Sequence, residues 1–210
     1  PHLNKTNLWK RTNHYQHFIE EGHAFAWDES GEEYGVKPVN CPSHMYLYNR
    51  NHRSYRDLPI RYFENVPIYR NEQSGELSGL TRLQAFTQDD GHAFLRPDQV
   101  ENEIARVLKI IKEIPEILGM SSRLELQMDQ PQQEGAATQY RKATETIRTV
   151  LSDLGWEYTT VTGKGAFYAP KVDCVAEDDL GQEWVLGGIQ LDRILPEEFG
   201  LTYTDETGDR

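Results

Sequence analysis

The stretch Ile68–Phe94, IYRNEQSGELSGLTRLQAFTQDDGHAF, is typical of two strands joined by a polar loop. The loop Gln73–Gly79 holds two glycines and two serines, which are turn-forming residues between patterned runs. Side chains alternate between the two faces of a strand, so residues two apart share a face. The stretch therefore predicts a hairpin with one polar face. That face comprises Arg70, Glu72, Arg82, Gln84, Phe86, Gln88, Asp90 and His92, and the other face comprises Leu80, Leu83 and Ala85.

The polar face combines an aromatic ring with two cations. Phe86 lies in the middle of the polar row, where an exposed ring suits stacking on a base. Arg70 and Arg82 suit a polyphosphate, because a guanidinium group can bind phosphate oxygens through two parallel hydrogen bonds. The pattern alone leaves two interpretations open, an amphipathic hairpin facing water and a nucleotide-binding hairpin.

The first half of the chain predicts further elements around this hairpin. Glu21–Lys37 has an acidic turn between two patterned runs and predicts a second hairpin. Asn40 precedes a helical pattern with a proline in its first turn, which is typical of a helix start. We expect Met45, Leu47 and Tyr48 to form the buried side of that helix.

The second half alternates helices with extended segments. Ile104, Val107, Leu108 and Ile111 have amphipathic helical spacing, and Tyr140–Leu154 predicts a second helix that ends at a glycine. The predicted strands are Arg123–Met128, Trp156–Val161, Ala166–Val175 and Glu183–Leu191. We therefore predict an α+β fold, an antiparallel β-sheet flanked by helices, in preference to βαβ units.

Composition narrows the functional classes. The chain has 210 residues and a formal net charge of −12, whereas an independent nucleic-acid binder is usually basic, so RNA contact would need a local basic patch or another domain. No apolar run approaches the roughly 20 residues of a membrane span. Two cysteines and no apolar leader fit a reducing cytoplasm. The start at Pro1, without methionine, is typical of a piece of a longer protein.

Several motifs carry a resemblance to a known family. Arg70-Asn71-Glu72, Gly79-Leu80-Thr81-Arg82 and Phe86–His92 (FTQDDGH) resemble motif 2 of the class II aminoacyl-tRNA synthetases, and the TQDD-x-H ending resembles the threonyl-tRNA synthetase family. Four further stretches are similar to that family in the same order: Asn40–His44 (NCPSH), Ser54–Pro59 (SYRDLP), Gly165–Lys171 (GAFYAPK) and Ile189–Asp192 (IQLD). The resemblance implies one partial class II catalytic domain over residues 1–210, truncated at both ends. Motif 2 would lie at about 61–92, and the motif 1 helix and motif 3 would be absent.

The resemblance implies a site that joins threonine to ATP. Arg70 would bridge the amino-acid carboxylate and the α-phosphate, and Mg²⁺ would bridge the phosphates. Glu72 would accept a hydrogen bond from adenine, Arg82 would hold the γ-phosphate, and Phe86 would stack on the base. Arg70, His14 and Lys171 are the implied catalytic residues.

The resemblance also implies how threonine and tRNA are recognised. Zinc would bind both the amino and hydroxyl groups of threonine, and Asp90 would accept from the hydroxyl. Cys41 and His92 correspond to two zinc ligands, the third being a histidine beyond residue 210, with His44 as a local substitute. Gln88 and Tyr168 would adjoin threonine, and His14 and Gln190 would adjoin the tRNA end.

The implied function is activation of threonine by ATP and its transfer to tRNA(Thr) by a longer cytoplasmic enzyme. We expect the full-length enzyme to be a homodimer, whereas this piece alone could be a monomer. We expect no membrane partner. A synthetase-like module that binds nucleotide, amino acid or RNA without charging tRNA is the alternative. A prolyl or seryl synthetase would share the hairpin but not the combination of Cys41, Asp90 and His92. Gln84 and Gly187-Gly188 depart from the family pattern.

Overall fold

The structure is a computed structural model in which residues 2–12, 14–79, 81–129 and 134–210 are described. Leu80, expected at the end of the hairpin loop, lies outside these ranges, as does Pro1. The elements in chain order are β1 (Leu3–Lys5), α1 (Asn7–Lys10), a π-helix (Tyr15–Glu20), β2 (Ala26–Glu29), β3 (Glu32–Val36), α2 (Cys41–Asn49), a 3-10 helix (Tyr55–Asp57), β4 (Ile60–Tyr69), β5 (Ala85–Phe94), a 3-10 helix (Pro97–Gln99), α3 (Val100–Ile117), β6 (Ser121–Met128), α4 (Glu134–Asp153), β7 (Thr159–Thr162), β8 (Lys171–Glu177), β9 (Glu183–Gln190) and α5 (Leu195–Glu198).

The chain divides into two compact units. The first unit comprises Pro1–Leu95 and Glu198–Arg210, and the second comprises Arg96–Glu197. Within the described residues the strands form three sheets, with orders β1-β3-β2 and β4-β5 in the first unit and β7-β6-β8-β9 in the second. The α+β class with antiparallel sheets is confirmed, while the single partial catalytic domain over residues 1–210 stays a prediction.

The central hairpin of the first unit forms as predicted, but its second strand begins later in the chain than expected. Strands β4 and β5 pair antiparallel over ten residues each, from Ile60 opposite Phe94 to Tyr69 opposite Ala85. The second strand was predicted to include Arg82. In the structure Arg82 instead closes a turn, because its backbone N–H and carbonyl form hydrogen bonds with the backbone of Ser78. The residues that precede Ala85 therefore form the rim of the hairpin and not its sheet.

Helix α2 packs on this hairpin through one face. Met45 and Tyr48, three residues apart, are buried, and the Tyr48 ring stacks on Phe94 with 4.5 Å between centroids. Leu47 was predicted to join them and is 42% exposed, so that prediction is wrong. The reason is geometric, because consecutive residues of a helix point about 100° apart and Leu47 is displaced by that angle from Tyr48.

The second unit contains a parallel connection that the sequence analysis did not predict. Strand β6 pairs antiparallel with β8 and parallel with β7, and α4 makes the crossover between β6 and β7. The preference against any βαβ unit was therefore wrong for this segment. Helix α3 buries Ile104, Leu108 and Ile111 as predicted, and each such side chain contributes roughly 1.5–3 kcal/mol through burial.

Candidate functional site

The polar face of β5 lies on the more covered side of the hairpin. Phe86, Gln88, Asp90 and His92 are each half-buried, and the residues between them are exposed, which is the alternation expected of a strand. Their partners on β4 are Ile68, Val66, Glu64 and Tyr62, in that order. The sequence prediction that these four side chains share one face is confirmed.

Arg70 lies at the end of β4 between two aromatic rings. Its guanidinium carbon is 5.4 Å from the centroid of Phe86 and 5.8 Å from that of Phe18, which belongs to the π-helix. Its backbone N–H donates to the carbonyl of Gln84, and its Nε donates to the carbonyl of Pro38 at 3.3 Å. These contacts hold the cation beside the ring that was predicted to stack on a base. Phe18 was missed by the sequence analysis, since a single aromatic residue 52 positions upstream gives no local signal.

Glu72 and Arg82 contact each other across the base of the hairpin loop. Nε and Nη2 of Arg82 donate to Oε2 of Glu72 at 3.1 and 2.9 Å, and Nη2 also lies 3.5 Å from Glu76. The Arg82 side chain is 53% exposed. An exposed ion pair is worth about 0–1 kcal/mol, so a phosphate could replace the carboxylate at small cost.

Two carboxylates face each other in the middle of the hairpin. Glu64 and Asp90 are direct cross-strand partners, an arrangement that destabilises a sheet unless the charges are compensated. Lys37 provides compensation, since its ammonium group is 3.5 Å from Oε2 of Glu64 and the residue is only 2% exposed. Nδ2 of Asn40, which is fully buried, donates to Oδ2 of Asp90 at 2.9 Å. Asp90 is therefore held through one carboxylate oxygen.

His44 connects this carboxylate pair to His92. Nδ1 of His44 lies 2.7 Å from Nδ1 of His92, and Nε2 of His44 lies 3.2 Å from Oε1 of Glu64. Burial lowers the pKa of His44 and the pKa of His92, because an imidazolium loses hydration there. Both rings therefore favour the neutral form that can accept hydrogen bonds or bind metals.

His14 is fully buried beneath the same region. Its Nδ1 is 2.7 Å from the Thr12 hydroxyl, and its ring is stacked with Phe18 at 6.2 Å between centroids. Burial lowers the pKa of His14 to about 3, from an ordinary value of 6.5. A contact between this ring and a tRNA end would require the ring to become exposed.

The pKa of His14 predicts a loss of stability in acid. Between pH 6.5 and about 3 the unfolded chain binds a proton at this residue and the folded chain does not, so the free energy of unfolding falls as the pH falls through that range. One such group contributes a slope of up to about 1.4 kcal/mol per pH unit. We expect His14→Gln to reduce this slope in denaturant titrations at pH 4.5, 5.5 and 6.5. His23→Gln, at a half-exposed side chain, is the matched control. An unchanged slope in His14→Gln would contradict the assignment.

The remaining predicted site residues lie in the second unit. Tyr168 donates from its hydroxyl to Oε1 of Gln190 at 2.9 Å. Gln190 and Lys171 are cross-strand partners on β9 and β8, and Nζ of Lys171 binds Oδ2 of the buried Asp173 at 2.9 Å. The structure thus brings Tyr168, Lys171 and Gln190 together within this unit.

Gly188 makes room for that cluster. It is the cross-strand partner of Asp173, and a Cβ atom at this position would lie 2.5 Å from Oδ1 of Asp173 and 2.9 Å from the carbonyl of Val172. Gly187 faces Ile111 of α3 instead. Of the two glycines that the sequence analysis noted as unusual, Gly188 is therefore explained by sterics, because a side chain there would clash with Asp173.

The donor set for a metal ion is partial. Cys41 begins α2, between Asn40, which binds Asp90, and His44, which binds His92. A thiol and an imidazole are both zinc ligands by chemical type. In the ranges that the structure describes, however, no group of three or more histidine, cysteine, aspartate or glutamate side chains could hold a metal ion. The described residues therefore bring together at most two of the ligands implied for zinc.

Comparisons with known proteins point to one family. Residues 19–210 match the family described as "tRNA synthetase class II core domain (G, H, P, S and T)". The threonine–tRNA ligase of Natronomonas pharaonis is 43% identical over 206 residues, covering 98% of this chain and 32% of the relative. That of Syntrophotalea carbinolica is 39% identical over 210 residues, covering 100% of this chain and 33% of the relative. The chain thus spans about a third of the length of the curated relatives it matches.

Two solved structures of threonyl-tRNA synthetases are also similar to this chain. The crystal structure of the RNA binding domain of threonyl-tRNA synthetase from Cryptosporidium parvum Iowa II is 36% identical, with a TM-score of 0.93, over 100% of this chain and 53% of that one. A putative threonyl-tRNA synthetase, ThrRS-1, from Aeropyrum pernix is 30% identical, with a TM-score of 0.81, over 96% of this chain and 47% of that one. In the described part of this chain, no helix is both long and apolar enough to cross a membrane.

Proposed function

Because the chain belongs to the class II tRNA synthetase core-domain family, we propose that it is part of the catalytic domain of a threonine–tRNA ligase. The enzyme would activate threonine with ATP to threonyl-adenylate and transfer the threonyl group to tRNA(Thr). We further propose that it acts in the cytoplasm as a homodimer at full length. The observation that carries the proposal is the half-buried face of β5, which holds Phe86, Asp90 and His92 and whose Phe86 ring adjoins the cation of Arg70.

The proposed nucleotide site uses the hairpin and its rim. Adenine would stack on Phe86, and the exocyclic amino group of the base would donate to Glu72. Arg70 would lie between the α-phosphate and the threonine carboxylate, where it neutralises charge that develops as the carboxylate attacks phosphorus. Arg82 would leave Glu72 for the γ-phosphate, and Mg²⁺ would accompany the phosphates. The protein mainly positions the reactants and compensates charge in this reaction.

The proposed threonine site uses the opposite end of the same face. Asn40 binds Oδ2 of Asp90, which leaves Oδ1 to accept from the threonine hydroxyl. Cys41 and His92 would supply two ligands to a zinc ion, and a third would come from outside the described residues. When bound, the zinc would polarise the amino and hydroxyl groups of threonine. Gln88 would line the amino-acid pocket.

For the second unit we propose roles in the transfer step. Gln190 would adjoin the tRNA end, and Lys171 would stabilise negative charge. The hydrogen bond between Tyr168 and Gln190 and the ion pair between Lys171 and Asp173 support a preorganised cluster within the second unit.

The first test is a calorimetric titration of this chain with a non-hydrolysable threonyl-adenylate analogue, with and without zinc. We expect binding that prefers the threonyl analogue to the valyl and seryl analogues. Phe86→Ala should weaken binding about 5–150-fold, because base stacking on an aromatic ring is worth roughly 1–3 kcal/mol. Phe63→Ala is the matched control, since Phe63 is 70% exposed on the other face of the same hairpin.

The alternative, a module that does not charge tRNA, has a distinct outcome. It predicts binding of the analogue without threonine-dependent pyrophosphate exchange by the full-length gene product. No binding to the folded chain, or equal binding of the three analogues, would contradict the proposed threonine site.

A further inference from the structure

Asn40 occupies a position at which its residue type ordinarily serves a helix. It is the N-cap residue of α2, and its backbone carbonyl accepts hydrogen bonds from the N–H groups of Ser43 and His44. Asparagine is a preferred N-cap residue because its side-chain oxygen can also accept from an N–H of the first turn. Within α2, all of whose residues are described, the Asn40 side chain makes no such bond. The side-chain amide of Asn40 therefore has a role other than capping the helix.

That amide is directed at the central hairpin. Asn40 is fully buried, and its Nδ2 donates to Oδ2 of Asp90 at 2.9 Å. A hydrogen bond to a carboxylate is stronger than one between neutral groups, and water competes little for a buried donor. The contact joins the start of α2 to β5, so the orientation of the Asp90 side chain depends on a residue 50 positions earlier in the chain.

The other atom of the amide shows that this orientation is costly. Oδ1 of Asn40 is buried and has no hydrogen-bond partner among the residues that the structure describes. Rotating the amide by half a turn would place Oδ1 against the carboxylate oxygen, so Asp90 determines which way the amide points. A buried acceptor without a donor is unfavourable, and folds depart from such local rules mainly at functional sites. The bond to Asp90 is thus kept at the expense of the amide's own oxygen.

The same contact determines which oxygen of Asp90 is available to a ligand. Oδ2 is engaged by Asn40, whereas Oδ1 lies 3.9 Å from Nδ1 of His92, beyond hydrogen-bond distance. A donor that holds one carboxylate oxygen restricts rotation of the group, so the other oxygen points in one direction before a ligand arrives. Asp90 is therefore a preorganised acceptor.

We propose that Asn40 is a positioning residue for amino-acid selection, which fixes the carboxylate of Asp90 so that Oδ1 of Asp90 accepts from a substrate hydroxyl. The inference rests on the proposed function in one respect, that Asp90 is the acceptor for the threonine hydroxyl. Asn40 acts through Asp90 and not on the reacting atoms. Valine has no hydroxyl to offer this oxygen, so the discrimination between the two amino acids depends on how firmly the carboxylate is held.

The first test is Asn40→Ser in the full-length gene product. Serine is as good an N-cap residue as asparagine, but its shorter side chain lacks the Nδ2 donor, so α2 should form while Asp90 is released. We expect the preference for threonine over valine, measured as the ratio of kcat/KM for activation, to fall about 10–10²-fold. This is the scale for a group that is displaced by about 1 Å. An unchanged preference would overturn the proposal.

The opposite face of the hairpin offers a matched control. Asn65 on β4 donates to Asp89 on β5, and this amide–carboxylate pair is exposed. Asn65→Ser should leave the preference for threonine unchanged. A purely structural role of Asn40 would lower Tm and the rates with both amino acids without changing their ratio, and that outcome would also overturn the proposal.

A double variant tests whether Asn40 acts through Asp90. Two residues of one hydrogen bond have non-additive effects, so Asn40→Ser should cause no further loss of preference in a protein that already carries Asp90→Ala. A further loss in the double variant would show that Asn40 acts independently of Asp90, which would contradict the positioning role.

The hydrogen bond itself can be measured without substrate. In ¹H–¹⁵N spectra of this chain at neutral pH, one side-chain amide proton of Asn40 should exchange with water more slowly than the amide protons of exposed Asn65. Asp90→Ala should shift the Asn40 signal, and Asp89→Ala should not. Exchange as fast as that of Asn65, or a signal that is indifferent to Asp90→Ala, would overturn the proposal.

These measurements separate this inference from the proposed function. A gene product that prefers threonine equally with asparagine or serine at position 40 would keep the proposed threonine site and contradict the positioning role alone. A gene product that holds the bond between Asn40 and Asp90 but does not distinguish threonine from valine would contradict the proposed threonine site, and with it the role of Asn40 in selection.

Discussion

Replacing Arg70 with alanine is expected to lower threonine-dependent pyrophosphate exchange in the full-length gene product by about 10²–10³-fold. The guanidinium group is held between Phe86 and Phe18 and is tied by Nε to the carbonyl of Pro38. In the proposed reaction, a cation fixed in advance would stabilise charge on the α-phosphate without reorganisation, and the variant would lose that contribution. Exchange retained within a few-fold of the unmodified protein would count against the proposed role.

Two further variants sharpen the interpretation of Arg70→Ala. Arg50→Ala removes an exposed arginine at the end of α2 and should leave the exchange rate unchanged. Arg70→Lys keeps the charge but lacks the planar group that can bind two oxygens at once, so we expect an intermediate rate. Equal rates for Arg70→Lys and Arg70→Ala would show that geometry outweighs charge at this position.

The second large effect is expected for Asp90→Ala, on the preference of the enzyme for threonine over valine. A site built to bind a hydroxyl group rejects the analogue that lacks it by about 10⁴–10⁵-fold, whereas an apolar pocket separates such isosteres by only about 10²-fold. Asp90→Ala should therefore lower the preference for threonine over valine by about 10²–10³-fold. The measurement is the ratio of kcat/KM for activation of the two amino acids by the full-length gene product.

The chain offers a close control for Asp90→Ala. Asp89 is the adjacent carboxylate of β5, lies on the exposed face and contacts Asn65. Asp89→Ala should preserve the preference for threonine. The amide of Asn40 would lose its acceptor in Asp90→Ala, at a cost of roughly 1–3 kcal/mol in stability, so Tm should be measured for both variants. An unchanged preference in a folded Asp90→Ala protein would exclude Asp90 as the hydroxyl acceptor.

The sequence was sufficient to predict the face of β5 because strand alternation is a local property. Phe86, Gln88, Asp90 and His92 share a face whenever this segment is extended, whatever lies around it. The antiparallel class followed from the many short extended runs with turn residues between them. These features depend on residues that are near each other in the chain.

The sequence was insufficient where long-range pairing decides the structure. Glu64 and Lys37 gave no signal by themselves, and their connection to His44 depends on the register of β4 with β5. The parallel pairing of β6 and β7 was missed for the same reason, since a strand pattern does not name its partner. Leu47 was misplaced because the orientation of α2 is set by packing, with Tyr48 against Phe94.

The register of the central hairpin also limits how this sequence can change length over evolution. Inserting or deleting one residue between Phe86 and Asp90 would move Asp90 and His92 to the opposite face, so the hairpin could survive while the site was lost. The loop Gln73–Gly79 has no such constraint, because lengthening a loop adds little closure entropy. Descendants of this gene should therefore accumulate insertions and deletions in the loop, while the length of β5 stays constant.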